Sequence, residues 1–485
     1  MQFNFQDLIQ TLPLVMLLVT GLLLMISDAL QLRSILPWLA GLGLLSSLVL
    51  ALPLNPTDAG MATVYNQMIF TGGLASFVHI SLCLGALFSL FFIQDFFQRH
   101  GKIVDEIYAL LVFAVIGMIM LANSNDLTVT FIGLETMSIC LYIMAALFKT
   151  NSSSNEAGLK YFLLGSFATG FLLFGMSMLY GITGVTQFTA MANSQMVDNA
   201  LFLPGVLFIL IGFLFKVSAF PFHNWTPDVY QGTPTPLTGF MATASKTASF
   251  VALGMFLHHT MPVMEGKIFW ILMGAAVISM VYGNIVAARQ SNLKRMLAYS
   301  SIAHSGYVLL GLASGKEGFI AVIFYAFIYT IMNVGAFGLI GMYENSEEDA
   351  EVSRWNGLGL RKPWFGVAMS IFLFSLAGIP PLAGFMSKYQ VFFAAVRSEF
   401  YIAAVIGVLA SVVGAYYYIR VIVSMYFTKE ESDTYVGGLS CAIAPSVGIA
   451  ILAGLTLLLG IFPSPVYTWI ESLFNGSGML AMAGF

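Results

Sequence analysis

Phe215-Lys216-Val217-Ser218-Ala219-Phe220-Pro221-Phe222 closes an apolar run that begins near Leu201, and it sets a lysine and a proline inside a stretch long enough to cross a membrane. Proline removes a backbone donor and collides with the preceding helical turn, so the span is expected to break there. Within a bilayer such a gap is tolerated only where protein or a water-filled cavity satisfies the freed backbone groups. A second run carries Ala377-Gly378-Ile379-Pro380-Pro381-Leu382-Ala383-Gly384, with two prolines and flanking glycines in mid-span. The two breaks lie five spans apart. A repeat of five crossings inverts its second copy, and inverted repeats with discontinuous helices at matched positions are a transporter signature, with the site near the bilayer midplane.

Outward from these breaks the class is plain. Of 485 residues 59% are hydrophobic and 9% charged, against roughly 25% charged in soluble globules. This is an integral membrane protein. Apolar runs at 8–27, 35–54, 74–93, 107–122, 127–148, 158–181, 201–222, 236–258, 268–288, 298–314, 319–343, 364–393, 401–427 and 443–462 predict an all-α fold of about fourteen transmembrane helices. Residues 1–106 form an N-terminal three-helix segment, 107–258 the first five-span repeat, 259–427 its inverted partner, and 428–485 a last span with a short tail. Met1–Asp7 shows no basic region or cleavage site, so the first run is expected to stay as a span.

The basic residues orient the chain. Arg33, Arg99, Lys102, Lys149, Arg289, Lys294, Arg295, Arg354, Arg361, Lys362, Arg420 and Lys429 fall on one set of loops and helix ends, and only Lys267, Lys316 and Arg397 on the other. The positive-inside rule places the first set in the cytoplasm and both termini on the opposite side. The acidic stretch Glu344, Glu347, Glu348, Asp349 and Glu351 then reads as a solvated cytoplasmic connector. With a net charge of -4 and no Lys/Arg run or basic aromatic face, nucleic acid is excluded as a partner. Cys83, Cys140 and Cys441 have no metal-ligand spacing and read as packing residues. No nucleotide fingerprint, phosphate loop or zinc motif occurs, so no redox cofactor is expected in this chain.

Against this background a few polar residues stand out. Intramembrane charges are expensive and default to function. Glu135 lies near the middle of the fifth span and Lys216 near the middle of the seventh, and an ion pair between them is expected. The competing reading is a static pair that holds helices together. Lys246 comes about ten residues into the eighth span, hence ~15 Å deep, beyond snorkelling reach. Lys388 follows the second break by eight residues. Lys160 is only about three residues inside its span and reaches interfacial water. His304, inside the tenth span, reads as a proton relay or as a hydrogen-bonded structural histidine. His223 caps or gates the first break, His258 and His259 sit at the outer surface, and His79 is a helix-contact residue. Trp38 and Trp469 fit an interfacial aromatic belt.

Three stretches carry a family resemblance: FKVSAFPFHNWTPDVYQGTPTP from Phe215 to Pro236, followed by ATASK ending at Lys246; NIVAARQSNLKRMLAYSSIAHSGY from Asn284 to Tyr307; and SLAGIPPLAGFMSKYQVF from Ser375 to Phe392. They closely resemble the N subunit of the proton-pumping NADH:quinone oxidoreductase, respiratory complex I, over essentially the whole chain. The related M and L subunits and Mrp-type cation/proton antiporters look similar around the first break. They usually carry a histidine-rich segment in place of ATASK, and the L type adds a long lateral helix, whereas only about twenty residues follow Pro463 here. The resemblance implies a proton channel in a bacterial inner membrane, beside other membrane subunits that include related antiporter-like ones. NADH, flavin, iron-sulfur clusters and quinone would belong to partner subunits. It implies that Glu135 and Lys216 are the coupling pair, Lys246 the central proton carrier and Lys388 the lysine of the second half-channel; the counterpart of Lys160 is less clearly part of the path. An Mrp-type antiporter subunit is the alternative.

Overall fold

The computed structural model describes residues 5–52, 62–101, 104–191, 199–260, 267–428 and 442–476. Lys102, Lys429 and Cys441 lie outside them. Among the described residues eleven helices are long and apolar enough to cross a membrane, and Glu106–Ala122, Phe202–Lys216 and Pro363–Ala377 are shorter apolar helices. Every run read from the sequence falls on one of these. Thr235–His259, Leu293–Ala313 and Gly315–Tyr343 form the interior, while side chains such as Phe167, Trp270, Ile402 and Val412 face outward. Such an apolar exterior suits lipid or membrane partners.

Both expected breaks are present, and they close the same way. The helix Phe202–Lys216 ends with Ser218 at φ 58 and a hydrogen bond from Ala219 N to Leu214 O of 2.9 Å; 160 residues on, Pro363–Ala377 ends with Gly378 at φ 85 and Ile379 N on Phe374 O at 3.0 Å. This is the Schellman closure, in which a left-handed residue turns the chain out of the helix. The chain resumes as Trp225–Gly232 after the first break and as Ala383–Arg397 after the second. The run 364–393 is therefore two helices.

Two pairs of helices cross at glycine. A Cβ on Gly117 would meet Met137 N at 2.4 Å and one on Gly133 would meet Leu121 N at 2.5 Å, so Glu106–Ala122 and Leu127–Ala145 touch backbone to backbone. Gly283 and Gly306 do the same between Lys267–Ala287 and Leu293–Ala313. Without a hydrophobic drive between helices in lipid, such close van der Waals contact is what holds them.

Several expectations are corrected. The fold is not purely α: Ala62–Val64 and Ile69–Thr71 form a hairpin, tied to a helix end by Phe70 N on Asn123 O at 2.8 Å. Phe70 stacks on His259 with ring centroids 5.5 Å apart, so that histidine is buried rather than at the surface. The tail carries a further helix, Ser464–Gly476, whose Trp469 packs edge-on against Phe77 instead of serving only a belt. Glu344 of the acidic loop is buried, and Glu347, Glu348 and Glu351 bond Asn151, Arg354 and Asn292; the loop is folded onto helix ends and is not a loose connector. His79 is a satisfied contact residue, bonded to Ser47 Oγ at 2.8 Å. Gly133→Ala is expected to destabilise the purified protein by about 1–3 kcal/mol through overpacking. Gly170→Ala, whose Cβ meets nothing within 4 Å, is expected to be neutral or slightly stabilising; thermal unfolding of the two variants checks this.

Candidate functional site

Lys246 sits in the largely buried helix Thr235–His259, directly after a π-helical segment, Met241–Ser245. Such segments are frequent at functional sites. Its Nζ donates to Ser301 Oγ at 2.6 Å, Ser305 Oγ at 3.1 Å and Ser301 O at 3.3 Å. An ammonium has three donors and no acceptor, so neutral oxygens meet all of them. Ser301 and Ser305 are four apart on one helix and share a face. Ser305 Oγ also donates to Val217 O at 2.5 Å, the capping carbonyl of the first broken helix. The break and the central lysine thus share a serine.

His304 continues the row. Its Nδ1 lies 2.6 Å from Tyr325 OH and its Nε2 3.2 Å from Tyr418 OH, which in turn bonds Ser300. Hydroxyls donate or accept, so either tautomer is satisfied. The relay and structural readings of this histidine are compatible. Lys246, His304, Ser301 and Tyr329 line a cavity of about 10 Å³, roughly one water.

At the second break Lys388 Nζ donates to Leu376 O and Ala377 O, both at 3.0 Å, and to Ser411 Oγ at 2.8 Å. Those carbonyls end the helix Pro363–Ala377, where the dipole favours a cation. The ring of Tyr307 lies 5.1 Å from this ammonium and 5.7 Å from the ring of His304, linking the two. A cleft of about 700 Å³ opens beside Lys388.

Lys216 departs from expectation. Its Nζ bonds Tyr142 OH at 3.1 Å and faces the rings of Tyr142 and Tyr161 at 4.9 and 5.3 Å. Glu135 is not within ion-pair distance, and its buried Oε1 has no partner among the described residues. Tyr142 lies seven residues, two helical turns, along from Glu135, and Lys216 bonds the tyrosine, not the carboxylate. Lys160 is at the edge, half-exposed, bonded to Asp228 at 2.7 Å and Glu156 at 2.5 Å. His223 makes no cap: it is buried, its ring stacks on Phe220, and neither ring nitrogen has a partner among the described residues.

The structure therefore joins Lys246, His304 and Lys388, ties Lys216 to them through the first break, and leaves Glu135, His223 and Lys160 apart. The reading of the sequence missed Tyr142, Ser301, Ser305, Tyr325, Tyr418, Ser411 and Asp228. Three of these had a signal: Ser301 and Ser305 at helical i, i+4 spacing beside His304, and Tyr142 two turns after Glu135.

A helical bundle whose interior carries a row of lysines solvated by hydroxyls and helix-end carbonyls defines an ion-translocating membrane protein. A family described as "NADH:quinone oxidoreductase/Mrp antiporter, TM" matches residues 124–414. The chain is 39% identical over 489 residues to the NADH-quinone oxidoreductase subunit N of Trichlorobacter lovleyi, covering 97% of this chain and 99% of that one. A chain of respiratory complex I from Thermus thermophilus is 30% identical with a TM-score of 0.81, covering 94% of this chain and 98% of that one. A chain of the Mrp complex from Dietzia sp. DQ12-45-1b, 17% identical with a TM-score of 0.85 over 99% of this chain and 100% of that one, shares the fold. The chain belongs to the family of NADH-quinone oxidoreductase N subunits.

Asp228, on Trp225–Gly232, joins Lys160 to Arg295, whose Nη1 lies 2.7 Å away. Partial burial raises the carboxyl's affinity for a proton, but the Lys160 and Arg295 hydrogen bonds and charges outweigh it and hold Asp228 below the usual carboxylate range. A depressed carboxyl contributes stability above its unfolded value and loses it as pH falls through the folded one. Asp228→Asn is expected to cost no more than about 1 kcal/mol at pH 7, as partly exposed pairs do. The difference is expected to shrink as pH falls below about 4 and to vanish only once pH is below the depressed folded value, as thermal unfolding against pH will measure.

Proposed function

We propose that this chain carries protons across the membrane as a subunit of an NADH:quinone oxidoreductase, through a row formed by Lys216, Lys246, His304 and Lys388. Electron transfer, with its NADH, flavin, iron-sulfur clusters and quinone, takes place in partner subunits, and related antiporter-like membrane subunits adjoin this one. The observation that carries the reading is the shell of Lys246: a buried ammonium with no carboxylate in ion-pair range among the described residues, held by neutral groups that accept or pass on a proton.

The matched breaks and the paired glycine crossings support two inverted units, 107–258 and 259–427, within about fourteen crossings. The loop-charge bias supports both termini on the non-cytoplasmic side of a bacterial inner membrane. Glu135 and Lys216 act as a switch. In the open position Lys216 rests on Tyr142; closing it draws the ammonium toward the carboxylate, and reopening drives a proton onward to Lys246. Moving one charge against 100 mV requires about 2.3 kcal/mol, which neighbouring subunits must deliver. His223 lines the first break, and Lys160 holds its short helix from the edge. An Mrp-type antiporter subunit shares the fold, but the near-full-length identity is with subunit N.

The test separates Lys246 from Lys160 in the assembled complex in sealed vesicles. Lys246→Ala is expected to impair NADH-driven proton translocation severely. Lys246→Arg is expected not to restore it, because guanidinium does not release its proton, and Lys160→Arg is expected to be nearly silent. Equal tolerance of arginine at both positions would mean that Lys246 supplies only fixed charge.

A further inference from the structure

Among the described residues three carboxylates are buried: Asp95, Asp126 and Glu344. Two have evident structural work. Asp95 pairs with Arg99 at 3.0 Å, and Asp126 caps the helix Leu127–Ala145 through Thr128 N and Val129 N while bonding Thr186. Glu344, which caps the helix Gly315–Tyr343, is 6% exposed and is placed differently. Its partner Lys294 lies at 3.5 Å, within ion-pair range, but gives its closer hydrogen bond to Thr233 O at 2.9 Å. The other carboxylate oxygen of Glu344 accepts from the hydroxyl of Thr235, the first residue of the helix that carries Lys246.

Thr233 touches this pair through its carbonyl, and Tyr230, three residues earlier, touches the shell of Lys246 through Ser301. Thr233 Oγ1, Tyr230 OH and Ser218 Oγ are all buried without a hydrogen-bond partner among the described residues. Tyr230 OH lies beside the hydroxyls of Ser218 and Ser301, and Ser301 Oγ is the nearest acceptor of Lys246. Buried polar atoms are nearly always satisfied, and water serves where protein does not. Packing alone gives no reason to gather such groups between a buried carboxylate and a buried amine. A hydrated proton route does.

We propose that Glu344 is the proton-loading carboxyl of the route to Lys246, with Lys294 as its charge partner; this rests on reading Lys246 as a proton carrier. A proton from the water phase forms an O–H bond on Glu344. That bond breaks as protons shift along Thr233, Tyr230, Ser218 and the waters between them, and an N–H bond forms on the neutral amine of Lys246. Glu344 is then again a carboxylate opposite Lys294, and one proton has moved inward with no other change.

The test uses the complete complex in sealed vesicles, with NADH oxidation and proton translocation followed together and assembly checked by co-purification. Glu344→Gln is expected to lower protons moved per NADH by the same factor as Lys246→Ala, and Glu344→Asp by a smaller one. The double variant Lys294→Gln/Glu344→Gln leaves no unpaired buried charge and is expected to stay as low as Glu344→Gln. Recovery to the parent level in the double variant would make Glu344 a structural counter-ion and overturn the proposal, as would parent-level pumping by Glu344→Gln. If neither glutamine-bearing chain assembles, Glu344→Asp decides: reduced pumping supports the proposal and parent-level pumping overturns it. Parent-level pumping by Lys246→Ala would instead remove the reading on which it rests.

Discussion

The contact between the Lys246 ammonium and Ser301 and Ser305 is the constraint on which the rest of the structure depends. A charge at mid-bilayer costs at least about 2.5–3.5 kcal/mol on insertion scales, and a buried ion pair is one remedy. This protein uses another: three hydrogen bonds from one face of a neighbouring helix. Neutral solvation leaves the amine stable enough with or without its proton, because hydroxyls donate as readily as they accept. A carboxylate in the same place would bind the proton's charge too firmly to let it pass. The interior helices are arranged to hold that shell away from lipid: Thr235–His259 is buried along nearly its whole length, as is Leu293–Ala313.

The two broken helices serve the same end. Interrupting a helix frees carbonyls at its last turn, and in both breaks the freed carbonyls are used by the polar row. Val217 O takes the hydroxyl of Ser305, while Leu376 O and Ala377 O take the ammonium of Lys388. The breaks supply oxygen in mid-membrane without importing charge. Tyr307 and His304 then span the distance between the two lysines. The backbone contacts at Gly117 and Gly133 hold Glu106–Ala122 against Leu127–Ala145, and those at Gly283 and Gly306 hold Lys267–Ala287 against Leu293–Ala313.

Much of this was legible in the sequence, because membrane spans are bounded by length and proline interrupts them wherever it falls. The depths of Lys246 and Lys160 followed from counting residues, and the structure buries the first and leaves the second at the edge. Contacts between helices were not legible in the same way. Glu135 and Lys216 are both near mid-span, but their relative height depends on tilt and on where the seventh helix ends, and Lys216 ends on Tyr142, two turns along the helix from Glu135. Loop composition could not reveal that Glu344 folds inward onto Lys294, since a charged run looks the same whether solvated or docked. The hairpin at Ala62–Thr71 lay in a polar connection whose pairing depends on Asn123 and Ser124, far along the chain. Lysine's acceptors were hardest of all, because serine, tyrosine and backbone carbonyl give little signal in an apolar run.

The central claim is that this row conducts protons because its cations are met by groups that exchange protons and that do not form a metal cage. Among the described residues no cluster of three or more histidine, cysteine or carboxylate side chains is placed to hold a metal ion. The direct measurement is NADH-driven flux in vesicles carrying the assembled complex, with acidification and radioactive sodium followed in the same preparation. The account predicts that acidification is unchanged when sodium is replaced by choline and that no sodium moves with NADH oxidation. Sodium movement coupled to NADH oxidation and lost with Lys246→Ala would contradict it.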